Sequence, residues 1–160
     1  MSGSLSPAED AGFGFRPVAG GSGEVVISSL KKAIVSFLAG SDTELTSFGR
    51  VAVICDGLIA IKNGYPNEEP RPHIPRFKTI GDNGSYFPIA KILNNDWAEE
   101  ISEDNKHRFP DYDYYENAGF NHFVFQFKET TTEILCSGTR VIKNLDYEGF
   151  FEIAKKELYG

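Results

Sequence analysis

The stretch Arg50-Val-Ala-Val-Ile-Cys-Asp-Gly-Leu-Ile-Ala-Ile-Lys62 decides how the chain is read. Two β-rich apolar runs flank Asp56-Gly57, a dipeptide suited to a two-residue type I′ turn because both central residues there need positive φ. The spacing predicts a hairpin in which Cys55 faces Leu58, Val53 faces Ala60 and Val51 faces Lys62. Both faces of that hairpin are apolar, so it should be covered on both sides. One buried helix is the competing reading, and Asp-Gly at its centre argues against it.

A second hairpin follows further along. Phe123, Phe125 and Phe127 alternate with His122, Val124, Gln126 and Lys128, the period of a strand. A turn at Thr130-Thr131 would place Lys128 opposite Glu133 as a cross-strand ion pair, Phe127 opposite Ile134 and Phe125 opposite Cys136. Gly138 then interrupts the returning strand as a bulge before Thr139-Arg140-Val141-Ile142.

Helices are expected around these hairpins. Val26, Leu30, Ala33, Ile34, Phe37 and Leu38 fall at helical spacing and predict a helix from about Glu24 to Ala39, stopped by Gly40. A short helix is expected from Tyr86 to Leu93, and another from Trp97 to about Glu103 with Asp96 and Glu99 at capping-box spacing. A last helix runs from about Tyr147 to Leu158, with Asp146 as N-cap and Tyr147, Phe150, Phe151, Ala154 and Leu158 as its apolar stripe. The proline-rich stretch Gly64 to Arg76 fits neither a helix nor a central strand. These elements predict an α+β domain: an antiparallel sheet of at least four strands with N- and C-terminal helices packed on one face. The expected division is a flexible Gly/Ser/Pro tail over residues 1–23 and a single domain over 24–160. Phe13 and Phe15 are the tail's two anchors, for the body or for a partner.

With 160 residues the chain suits one domain. Such a domain buries about 70% of its extended surface and needs neither disulfide nor metal to hold a core. Cys55 and Cys136 are its only cysteines, each inside an apolar run, which fits small buried hydrophobes in a reducing compartment. No charged n-region precedes an apolar run at the N-terminus, and no apolar run approaches the ~20 residues of a membrane helix. A soluble, cytoplasmic chain is expected, without membrane contact. The net charge of −7 disfavours nucleic acid, whose phosphates reward basic surfaces, and suits a basic protein partner.

No P-loop, dinucleotide fingerprint, zincin or nucleophile-elbow motif is present, so no catalytic residue and no cofactor is assigned. His122 and Cys136 sit on the two strands of one hairpin but on opposite faces, which separates base from thiol. Asp111-Tyr-Asp-Tyr-Tyr-Glu116 alternates carboxylates as a cation loop does, without the glycine and distal glutamate of an EF-hand, and no metal is assigned. Arg71-Pro72-His73-Ile74-Pro75-Arg76 has the shape of a polyproline ligand and reads better as a stiff connection.

The informative feature is the concentration of charge. Between Asp96 and Glu116 there are eight acidic residues and two basic ones. Tyr112, Tyr114 and Tyr115 are interleaved there, with Trp97 nearby. Tyrosine and tryptophan are enriched at interfaces, and acidic groups around them speed capture of a basic partner. The candidate binding residues are therefore Trp97, Asp111, Tyr112, Asp113, Tyr114, Tyr115 and Glu116. They point to a small accessory or partner-binding protein of the inhibitor or immunity type. Two other readings remain: a small-molecule domain or enzyme with a pocket behind Phe123, Phe125 and Phe127, and a subunit of a larger assembly.

Overall fold

The computed structural model describes residues 8–18, 21–41, 48–74, 77, 80, 87–94, 96–107 and 120–159. The strands are β1 (Ala8–Asp10), β2 (Arg16–Pro17), β3 (Val25–Ser28), β4 (Lys32–Gly40), β5 (Arg50–Asp56), β6 (Ala60–Gly64), β7 (Ile89–Ile92), β8 (Asn121–Gln126), β9 (Thr131–Cys136) and β10 (Gly138–Leu145). Among the described residues two α-helices accompany them, α1 (Asp96–Lys106) and α2 (Tyr147–Tyr159). All strand pairs are antiparallel. One sheet has the order β1-β7-β8-β9-β6; the other runs β10-β5-β4-β2, with β3 also paired to β4.

The sheets face each other across a core of Ala33, Val35, Phe37, Val51, Val53 and Cys55 from the second sheet and Ile89, Phe123, Phe125, Ile134 and Cys136 from the first. The alternate residues point outward. On the second sheet Ile34, Ala52 and Ile54 meet Phe150 and Ala154 of α2. On the first, Leu135 meets Trp97 and Ala98 of α1. The α+β class holds, but the helices lie on opposite outer faces of a two-sheet sandwich, not on one face of a single sheet.

The Asp56-Gly57 hairpin does not form. β5 pairs with β4 and β10, whereas β6 pairs with β9 in the other sheet. Gly57 has the positive φ expected of it, +61°, but it turns a corner between sheets. β9 and β10 cross back at the same place, so Gly138 begins a new strand and is not a bulge within the old one. The two crossings are joined: Ser137 N–H donates to the Asp56 carbonyl at 3.0 Å and to that of Gly57 at 3.2 Å. A Cβ on Gly57 would stand 1.7 Å from Ser137 Oγ, so only glycine fits the corner.

The helix expected from Glu24 to Ala39 is the β3–β4 hairpin, turned at Leu30-Lys31 with Ser29 N–H donating to the Lys32 carbonyl at 2.8 Å. Both faces of β4 are buried, so nearly every position is apolar and a helical spacing can be picked out of a strand. The β-branched Val25, Val26, Ile27, Ile34 and Val35 favour the extended backbone. Within the helix expected over Tyr86 to Leu93, Ile89–Ile92 is strand β7, paired with β8, and residues 81–86 lie outside the described ones. The predicted final helix forms as α2, and Gly149 N–H donates to the Asp146 carboxylate at 2.7 Å, which caps it.

Part of the expected tail is also built in. β1 pairs with β7 and β2 with β4, and Phe13 and Phe15 pack into the inter-sheet core. Residues 1–7 and 19–20 lie outside the described residues.

The β8–β9 hairpin forms with a register four residues from the predicted one. Val124, not Lys128, stands opposite Glu133, and Phe123 opposite Ile134. The turn falls at Lys128-Glu129, where Phe127 N–H donates to the Thr130 carbonyl at 2.9 Å. An even shift leaves each side chain on its face. Cys136 therefore stays with the phenylalanines, and His122 stays on the far side.

Candidate functional site

Helix α1 joins the acidic region to the sheet. Asp96, Glu99, Glu100, Glu103 and Asp104 are all exposed, while Trp97, Ala98 and Ser102 are buried. Lys106 pairs with Glu103 at 3.4 Å, the one opposite charge this helix supplies. Asn94 accepts from the Asp96 N–H at 3.3 Å and starts the helix. Acidic residues in the first turn complement the helix dipole, which lets the chain place them there without loss of helix stability.

Trp97 is not the exposed anchor expected from sequence. It is 8% exposed and lies against His122, with ring centroids 4.9 Å apart. Lys62, on the edge strand β6, holds its Nζ 4.7 Å from the centre of the indole ring. Beneath, His122 Nε2 is 3.0 Å from Glu133 Oε1, and both side chains are about 5% exposed or less. Trp97 thus fixes the acidic helix to three strands from below. The other candidates, Asp111, Tyr112, Asp113, Tyr114, Tyr115 and Glu116, lie in the segment 108–119 between α1 and β8, outside the described residues.

Other polar groups on this outer face tie neighbouring segments to the sheet. Arg71 is buried and is no exposed polyproline flank. Its guanidinium donates to Thr131 Oγ1 at 3.0 Å and to the Phe127 and Thr130 carbonyls, which ties the proline-rich stretch to the β8–β9 turn. Gln126 donates to the Phe87 carbonyl. The sequence pattern offered Glu133 only as a partner for Lys128, and Arg71 only as part of a stiff connection. The signal that could have found Glu133 is parity: it shares a face with His122 in every register of the hairpin that keeps the phenylalanines inward.

Phe123, Phe125 and Phe127 face other aromatic rings. Phe37 lies 5.4 Å from Phe127 and 6.4 Å from Phe125, and Phe13 lies 5.7 Å from Phe123. The three rings belong to the inter-sheet core. His122 points to the other face of this sheet, and Asp56 and Arg140 are joined in a surface ion pair. That pair is two-pronged, at 2.7 and 2.9 Å, and Arg140 makes a second two-pronged contact with Glu157 of α2. Lys32 completes the network at 2.8 Å from Glu157. The Arg140 guanidinium, then Lys32, hold the Glu157 carboxyl down at about 2, and Arg140 lowers that of Asp56 as well.

Among the described residues no group of three His, Cys, Asp or Glu side chains is placed to hold a metal, and no helix is long and apolar enough to cross a membrane. The chain matches no protein-family model, no curated protein and no solved structure.

Proposed function

We propose that this protein is a non-enzymatic partner-binding protein, of the inhibitor or immunity type, whose acidic face receives a basic protein. The observation that carries the reading is the split of α1: five carboxylates face solvent while Trp97 pins the opposite side to the sheet. A rigidly held row of like charge, leading in sequence into the tyrosine-rich segment 111–116, suits electrostatic capture followed by aromatic contact. Replacing Asp111, Asp113 and Glu116 together by lysine tests it. The expected result is loss of a salt-sensitive complex from a native pull-down in the source cell. An unchanged set of captured proteins would overturn it.

A further inference from the structure

Cys55 and Cys136 reach the core from different sheets. Cys55 is the residue before the end of β5, and Cys136 is the last of β9. Both side chains belong to the inter-sheet cluster, and neither is exposed. The residues after them, Asp56 and Ser137, are the two sheet crossings, and the Ser137 N–H to Asp56 carbonyl bond at 3.0 Å holds the crossings side by side. One residue back, the two thiols lie in the same buried cluster and share a side-chain hydrogen bond. Both are free thiols, and Cys136 Sγ lies 3.6 Å from the Gly138 carbonyl. The contact with Cys136, together with burial, pushes the Cys55 thiol well up, while the same hydrogen bond draws Cys136 down.

We propose that Cys55 and Cys136 are a redox pair that closes into an intramolecular disulfide stapling the two sheets at their corner. The oxidant is a hydroperoxide. The Cys136 thiolate attacks one peroxide oxygen, the O–O bond breaks, and the departing hydroxide takes a proton and leaves as water. Cys136 is then a sulfenic acid. Cys55 attacks that sulfur, the S–O bond breaks, and the hydroxide leaves with the Cys55 proton as a second water. Two thiols and one hydrogen peroxide give one disulfide and two waters. Since neither sulfur is exposed, the oxidant enters when the corner opens, and mild denaturant accelerates the reaction. About half of the chain lies between the two cysteines, so the bond removes much of the freedom of the unfolded state.

The test treats the full chain with hydrogen peroxide at neutral pH in sub-denaturing urea, then alkylates the remaining thiols and maps the peptides by mass spectrometry. The expected product is monomeric, lacks two hydrogens, takes up no alkylating agent and contains one peptide pair linked through Cys55 and Cys136. Its thermal midpoint should rise by on the order of 10 °C and return with dithiothreitol. With Cys55→Ala, the Cys136 sulfenic acid should persist and be trapped by dimedone; if that variant does not fold, the wild-type peptide map decides alone. Two thiols still alkylated, a sulfinic acid on one cysteine, a link between two chains, or a linked monomer of lower midpoint would each overturn the proposal.

Discussion

His122 Nε2 lies 3.0 Å from Glu133 Oε1, diagonally across adjoining strands and closed from water by Trp97. A buried pair of this kind is costly to break, because the surviving partner is left without its counterpart. Glu133→Leu should lower stability by about 3–5 kcal/mol in urea denaturation, and His122→Leu should do the same. The double leucine variant should recover much of that loss. Equal stabilities for all four proteins would contradict the pairing. Trp97, the only tryptophan, reports the same event, and its emission should shift in the single variants.

Gly57→Ala tests the corner. The new methyl would meet Ser137 Oγ at 1.7 Å, and the backbone there has φ +61°. The positive φ alone costs on the order of 1 kcal/mol for alanine, and the clash adds to it. Adding Ser137→Gly should remove the clash and leave only the backbone cost. A Gly57→Ala protein as stable as wild type would show that the crossings are not in contact.

The network of Asp56, Arg140, Glu157 and Lys32 predicts an acid-sensitive term. The carboxyl of Glu157 ionises at about 2 in the folded protein, below the roughly 4.3 of an unfolded glutamate. Its contribution is complete above about pH 5 and is lost as pH falls towards 2. Arg140→Gln should therefore lower the thermal midpoint at pH 6 and converge with wild type near pH 2. Solvent and salt screen these side chains, so the gap at pH 6 should also narrow in high salt.

Phe15 measures how firmly the N-terminal stretch is held. Its ring is 5.7 Å from Phe13, 5.9 Å from Phe37 and 6.0 Å from Phe48, and it is 8% exposed. Phe15→Ala should cost about 3 kcal/mol in chemical denaturation, at the lower end for a buried phenylalanine. A cost near zero would mean that residues 8–18 are dispensable to the fold.

The elements legible in the sequence were those whose residue types kept a clear period. Helix α2 shows its stripe and its Asp146 cap, and β8, though buried on both faces, alternates Phe123 and Phe125 with His122, Val124 and Gln126. β4 is buried on both faces, and its near-continuous apolar run erased the period that separates strand from helix. Asp56-Gly57 announced a turn, but whether β6 returns to β5 or moves to β9 depends on partners far along the chain. The register of β8 on β9 was hidden because a shift of four residues preserves every face. At the candidate site, the acidity of α1 was legible, whereas the role of Trp97 was not. Its neighbours Lys62, His122 and Glu133 come together only through strand pairing.

Capture of a basic partner by the exposed acidic row on α1 is open to direct test. Reversing Glu99, Glu100, Glu103 and Asp104 to lysine leaves Trp97, Ala98 and Ser102 in place, and circular dichroism and Trp97 emission can verify the fold. The decisive measurement is the association rate with the basic protein recovered by wild type, taken across a salt series. The rate should fall by about tenfold or more at low salt, with the difference closing as ionic strength rises. A rate unchanged by charge reversal, or one equally slow at every salt concentration in both proteins, would contradict it.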